Sequence, residues 1–326
     1  MRVNAFIISL GAAALAASSA LAQDYPSQPI QLVIPYGAGG ATDLSARALS
    51  NALTPILDRP LVLANRTGAG GATGSAAVAN ADGDGYTMLA ARVGSHTVNP
   101  AMKETLPYTL DDFRFVGVYE INPVVCAVRA GSEIDSMEAL VQQVQENPGT
   151  VSFSSSGVGS MLHLAGAMVL DAFGVENPLE NATHIPMGGG GEAATAVLQG
   201  TATFVCTNSS ALASFVSNDQ LQPIMVTTPE PLEGFDAPTA ASLGHPELEQ
   251  LVGWTGIAGP ADLSDEAAEA WGEWLEQATQ NEEFLAYMKK IGSQVDLMSP
   301  EESVEFVNAQ YETFRKLVDD LDMRVE

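Results

Sequence analysis

The sequence predicts an α/β fold of open sheets flanked by helices, in two domains, with a ligand site at one sheet edge. Two observations carry this. A strand–glycine loop–helix unit occupies residues 33–49 (VIPYGAGGATDLSARAL), and its architecture recurs over 151–170 and 184–198. Removing a leader of 22 residues leaves 304, which at roughly 150 residues per domain suits two domains with sizeable cores.

The leader, residues 1–22, begins with basic Arg2. It continues with an apolar run over 5–17 and ends on Ala20-Leu21-Ala22, a small-x-small cleavage site. That is the pattern of a secretory signal peptide. The run is shorter than the roughly 20 residues of a membrane span, and no cysteine follows it to carry a lipid. The mature chain is expected to start near Gln23.

Residues 30–35 are apolar enough for a buried strand. Gly37, Gly39 and Gly40 then permit positive φ and close approach of the backbone to whatever sits above it. Thr42 or Asp43 is placed to cap a helix whose Leu44, Ala48, Ala52 and Leu53 share a face. Such a loop aims unpaired N–H groups and the positive end of a helix dipole at one spot, which suits an anion. Glycine-rich turns between strand and helix also occur with no ligand at all. Three loops rich in glycine and hydroxyls, with no catalytic partner beside them, favour a binding site at the edge of an open sheet.

Along the chain, RTGAGGATGSAAVA (66–79) follows an apolar run over 61–64 and opens a helix. A strand is expected over 86–91, then a loop with donors at its tip over 91–100. Residues 115–119 and 123–128 are strand-like, with the chain leaving the first domain between them. A helix runs from Asp135 or Ser136 to about Gln145. Residues 177–181 read as a surface turn, 203–207 as a strand ending on Asn208-Ser209-Ser210, and 224–227 as a strand returning to the first domain. A short strand over 254–258 and helices over 264–280 and 281–290 follow. Ser299-Pro300-Glu301-Glu302 is a capping box with Pro at the first helical position, opening a helix to about Asp320. This tail is expected to pack on the first domain.

The formal charge of −27 argues against nucleic acid or an acidic membrane surface as partner. Its long-range field opposes anions, but salt screens it beyond about 8–10 Å. A solvated acidic surface without function is the plainer explanation; a saline habitat is the other. Cys126 and Cys206 lie in apolar strand-like runs. An exported protein can pair them, while two buried free thiols is the blander reading. No CxxC, P-loop or GxSxG is present, and the loops at 37–42 and 68–73 miss the third glycine of a dinucleotide fingerprint. No metal or cofactor is implied: His96, His163, His184 and His245 lack ligand spacing. Ser160 and His163 could bring hydroxyl and imidazole together as an esterase pair, but the sequence places no third group to orient the base.

Taken in order, these landmarks resemble the periplasmic solute receptors of tripartite tricarboxylate transporters, the Bug family. They are the glycine loop with Asp43, NRTGAGGATGSAAVA, DGYTML, GSHTVNP, SSSGVGSMLHLAG, HIPMGGGGEA and WTGIAGP. The resemblance covers essentially the whole mature chain. It implies a two-lobed, type II periplasmic-binding-protein fold, each lobe an open mixed sheet flanked by helices, with the ligand in the cleft between lobes. Lobe 1 would comprise 23–121 and 227–326, and lobe 2 would comprise 122–226. It also implies a monomeric periplasmic receptor, without catalysis, for a small carboxylate that is passed to a membrane permease. The family's ligands are di- and tricarboxylates, aromatic acids and acidic amino acids. A receptor that feeds a membrane signalling system is the alternative.

Carried over by position, lobe 1 would bind through Tyr36, Gly39, Gly40, Thr42 and Asp43, with Ser95 and His96 from the next loop. Asp43 would hold a water or cap the helix rather than touch an anion. Lobe 2 would supply Ser155, Ser156, Ser160 and His163, then Met187, Gly188 and Gly189, then Asn208. The chain departs from the family pattern where Met161 and Leu162 replace polar residues, and where Met187-Gly188-Gly189 replaces Tyr-Lys-Gly. It departs again where Gly37-Ala38 replaces a Pro pair, and where Thr207 replaces an Asp. A roomier, more apolar pocket is implied, suiting an acid with an apolar or aromatic body. Arg92 stands where the family has a small polar residue; it either pairs with a ligand carboxylate or forms a structural salt bridge.

Overall fold

The computed structural model describes residues 25–324; the expected leader over 1–22 lies outside the described residues. In chain order, β1 (Ile30–Ile34) is a buried apolar run that leads into α1 (Ala41–Leu53). β2 (Leu61–Asn65), α2 (Ala72–Ala79), β3 (Thr87–Arg92) and α3 (Asn99–Met102) follow. The strand β4 (Phe113–Arg129) then crosses the whole molecule. Beyond it come α4 (Met137–Glu146), β5 (Val151–Ser155), α5 (Met161–Ala172), α6 (Pro178–Asn181) and β6 (Ala182–Pro186). Next are α7 (Gly190–Leu198), β7 (Phe204–Asn208), α8 (Ser209–Ser217) and β8 (Leu221–Val226). The chain closes with β9 (Val252–Pro260), α9 (Asp265–Thr279), α10 (Glu282–Lys290), β10 (Gln294–Val295) and α11 (Pro300–Asp320).

Two sheets share β4. In the first, β2, β1 and β3 are parallel, and β9 inserts antiparallel between β3 and the first part of β4. β10 adds a short antiparallel pairing to β4. In the second, the last part of β4 pairs antiparallel with β7 and β8, while β7, β5 and β6 are parallel. The result is an α/β fold with two lobes joined through β4. One core cluster packs α1 and β1 against Trp271, Trp274 and Phe284 of the tail helices. Another packs α7 and α8 on Val125, Ala127 and Val205 of the second sheet. Helix α5 is buried on nearly every face from Met161 to Leu170, as expected of a helix apolar all round.

Several expectations are corrected. Residues 115–119 and 123–128 are not two strands but parts of one. Glu120 and Asn122 are fully buried, and side chains of neighbouring segments satisfy their polar groups, so they do not break the strand. The strand over 224–227 does not return to the first sheet: β8 pairs Val226 with Val125 in the second. The loop expected over 91–100 is helical from residue 94 onward, as a wide turn followed by α3. The turn at 177–181 is the single helical turn α6. Neither Thr42 nor Asp43 caps α1; its N-cap is Gly40, with no side-chain bond. Cys126 and Cys206 are not free thiols. The β4–β7 register sets them opposite each other, with Cα atoms 4.0 Å apart, and they are joined in a disulfide. The capping box at Ser299 and Glu302 forms as expected, and α11 runs to Asp320.

Candidate functional site: a cleft at converging helix N-termini

Four helices turn their N-termini toward one cavity of about 800 Å³. Its wall includes Gly40, Ala41 and Thr42 of α1, Ser160, Met161 and Leu162 of α5, Gly189 and Gly190 of α7, and Asn208 before α8. Capping sets three of these four termini apart, α5 being capped by Ser160. α4, α9, α10 and α11, which lie away from the cavity, are each capped by a side chain: Ser136, Ser264, Asn281 and Ser299. α1, α7 and α8 have none. Asn208 could cap α8, but its amide donates instead to the Asn122 carbonyl at 3.1 Å. First-turn N–H groups are therefore left facing the cavity, where an anion would satisfy them.

The charges agree. Among the described residues, Arg92 and Lys103 line the cavity and no Asp or Glu does, in a chain whose net charge is −27. Asp43, in the first turn of α1, is turned away. Its carboxylate accepts from the Gly39 N–H at 2.8 Å, from Arg47 Nε and Nη2 at 2.8 and 2.9 Å, and from Asn65 Nδ2 at 3.0 Å. The Arg47 guanidinium is the main reason its pKa falls to about 2. Asp43 therefore braces the glycine loop from behind.

The sequence model of the family described as "Tripartite tricarboxylate transporter family receptor" matches residues 45–323. The chain belongs to this family. It is 28% identical over 308 residues to Protein BugT of Bordetella pertussis, covering 94% of this chain and 91% of that one. Among solved structures it is similar to the periplasmic binding protein BugD, at 25% identity and TM-score 0.77, over 93% of this chain and 100% of that one. It also shares the fold of Rpa4515 of R. palustris, solved with adipate, at 24% identity and TM-score 0.78, over 92% and 99% of the two chains. The family is one of solute receptors and BugD is a periplasmic binding protein; neither is an enzyme. Among the described residues of this receptor no helix is long and apolar enough to cross a membrane, and no cluster of His, Cys, Asp or Glu is arranged to hold a metal.

Of the residues singled out from the sequence, the receptor brings Tyr36, Gly40, Thr42, Arg92, Ser156, Ser160, Gly189 and Asn208 together on the cavity wall. Gly39, Asp43, Ser95, His96, Ser155, His163, Met187 and Gly188 do not line it. Ser95 and His96 are fully buried beneath it. The His96 ring sits among Tyr108, Phe113, Phe115 and Trp254, and its Nδ1 bonds Ser95 Oγ at 2.9 Å. Burial holds its pKa down to about 3, so it is a neutral core histidine. Ser155 Oγ bonds His184 Nε2 at 2.6 Å, behind the loop that carries Ser156. The Gly188 N–H is taken by Glu192 at 3.0 Å.

Asn99, Met102 and Lys103 also line the cavity; from the sequence, Asn99 falls in a loop expected over 91–100, and residues 102 and 103 fall in no expected element. Their spacing of three and four is a helix-face signal that could have found them. Lys103 Nζ donates to the Ala69 carbonyl at 3.0 Å. With Val98, Val158, Met161 and Leu162, Met102 gives the cleft its apolar surface.

The Ser160–His163 pair is not a nucleophile and base. Ser160 Oγ caps α5 by accepting the His163 backbone N–H at 3.2 Å. His163 Nδ1 accepts the Gly159 N–H at 3.2 Å, and its ring stacks on His184 with centroids 3.9 Å apart. Burial, and then the nearby His184, hold His163 down to about 4; burial also lowers His184. Both are therefore neutral in the folded receptor at pH 7, against about 6.5 when unfolded. A depressed histidine leaves stability intact above about pH 6.5 and erodes it as pH falls toward the folded value. His96 adds to the loss in the same window. Protonated His163 also cannot accept from Gly159, so the loop over 157–160 loosens. The expected result is a melting temperature that falls between pH 6.5 and 4.5, with a shallower fall in His163→Gln. Equal slopes in the two proteins would rule this cause out.

Proposed function

We propose that this receptor works in the periplasm as a monomer, captures a small carboxylate between its two lobes and delivers it to the permease of a tripartite tricarboxylate-type transporter. The observation that carries the reading is a cleft wall without a single acidic residue, onto which three helices open with uncapped N-termini. A carboxylate satisfies those N–H groups and gains from the helix dipoles. Lobe 1 is taken as 23–121 with 227–326, and lobe 2 as 122–226. Closure of one on the other would remove water from the ligand, so a ligand that binds only the closed form shifts the population toward it.

The ligands considered are di- and tricarboxylates and aromatic acids. Adipate on a protein of the same fold and the apolar patch of Met102, Met161 and Leu162 both favour an acid with an apolar body. A thermal-shift screen of the mature protein against mono-, di-, tri- and aromatic carboxylates tests the reading. A ligand at a hundredfold excess over its Kd stabilises by about 2.7 kcal/mol, so at least one acid is expected to raise the midpoint by several degrees. A flat panel, with no co-purified acid in the mass spectrum of the denatured protein, would overturn it. If only small, wholly polar acids bind, the preference for an apolar body fails.

A further inference from the structure

Arg92, Thr255 and Glu120 form one rung across three strands, since Thr255 of β9 is the register partner of both Arg92 of β3 and Glu120 of β4. Arg92 Nη1 donates to Thr255 Oγ1 at 2.7 Å, and Thr255 Oγ1 donates on to Glu120 Oε2 at 2.6 Å. The Glu120 carboxylate lies 3.6 Å from Nη1 and is fully buried. Its other oxygen accepts from Ser293 Oγ at 2.7 Å. Ser293 Oγ in turn accepts from Asn122 Nδ2 at 3.2 Å, and that same amide nitrogen bonds Ser210 Oγ in the first turn of α8 at 3.0 Å. The hydroxyls of Thr255 and Ser293 both donate to Glu120, one to each carboxylate oxygen, while the Asn122 amide branches to Ser293 and Ser210.

Arg92 is the open end of the network. It is 7% exposed and lines the cleft. Among the described residues Nη1 is its one hydrogen-bonding atom, which leaves Nε and Nη2 without a protein partner. Gly253 lies beside both Nη2 and Asn208 Nδ2: a Cβ there would meet Asn208 at 2.9 Å and Arg92 at 3.6 Å. The free edge of the guanidinium and the N-terminus of α8 therefore lie side by side, although they belong to different sheets.

We propose that Arg92 is the carboxylate clamp of the cleft, and that Glu120 is the positioning residue that aims it and ties it, through Ser293 and Asn122, to α8. The inference rests on the receptor reading. One ligand carboxylate lies on the free guanidinium edge beside Asn208, and the rest of the ligand extends toward Met102, Met161 and Leu162. The sequence posed a choice between ligand contact and structural salt bridge for Arg92; in this geometry the salt bridge makes the contact possible. A bare arginine side chain is mobile, and fixing it before the ligand arrives reduces what is lost on binding.

The test is a double-mutant cycle read by calorimetry, with adipate, malate and benzoate as probes. Arg92→Met is expected to weaken the best-bound probe about 10- to 100-fold, the range for a charge-assisted bond. Glu120→Gln is expected to weaken it about tenfold, because the clamp loses its anchor. If Glu120 acted only as a repelling charge behind the clamp, neutralising it would tighten binding. In the double variant the loss should equal that of Arg92→Met alone, since Glu120 acts through Arg92; a merely structural Glu120 would give losses that multiply. Arg92→Met leaves a buried carboxylate unpaired, which costs stability, whereas the double variant removes both charges together and keeps the test open if the single variant fails to fold. Arg92→Lys, which keeps the charge without the fork, gives a further reading and is expected to bind at least tenfold more weakly. Double or Lys variants that bind within about threefold of the wild type would overturn the proposal and leave the receptor reading standing. A wild-type protein that binds no carboxylate would overturn both.

Discussion

Ser160→Asp is expected to lower carboxylate affinity about a hundredfold and leave the melting temperature almost unchanged. Ser160 caps α5, and its Oγ accepts the His163 N–H. Aspartate caps a helix about as well as serine does, so the local fold is kept. The added carboxylate, however, stands on the wall of a cleft that has no acidic residue. Two like charges about 5 Å apart at an effective dielectric constant near 20 repel by about 3 kcal/mol, or roughly a hundredfold in binding. Ser160→Asn is the control, a neutral cap of similar shape, expected to bind within about threefold of the wild type. Calorimetry with the best acid from the screen, beside melting curves of all three proteins, checks this. If aspartate and asparagine variants bound alike, the cleft would not be the anion site.

Cys126→Ala with Cys206→Ala is expected to cost about 4.5 kcal/mol, the loop-closure value for a sequence separation of 80 residues. For a chain of this size that corresponds to a fall in melting temperature of roughly 7 °C. The bond lies inside the second sheet and joins β4 to β7. β7 ends on Asn208, so the same bond steadies one wall of the cleft. Melting curves of the double variant and the wild type give the measurement. A fall of less than about 2 °C would mean that the β4–β7 ladder and the packed core hold the strands without the bond.

What the sequence by itself determined was local. The strand of residues 30–34, the glycine loops, the Ser299 capping box and the amphipathic tail helix each depend on residues within about one helical turn of one another. The spacing of landmarks along the chain carried the family, and with it the two-lobed fold. Seven residues named by position transfer, and Arg92 as a departure from the family pattern, lie on the cleft wall, because helix N-termini after strands are what such a fold brings together.

What only the tertiary structure decided was every feature that depends on residues distant in sequence. Arg92 meets Thr255 across a separation of 163 residues, and Glu120 looked like a break in a strand until its partners were in place. His96 read as a donor at a loop tip because nothing nearby in sequence reveals the aromatic cage built by Tyr108, Phe113, Phe115 and Trp254. Lys103 and Met102 reached the cleft only once residues 94–102 folded as a helical segment. Whether Cys126 and Cys206 pair was open in the sequence because pairing is a matter of strand register. Register is set by which strands become neighbours, and local composition does not encode that choice.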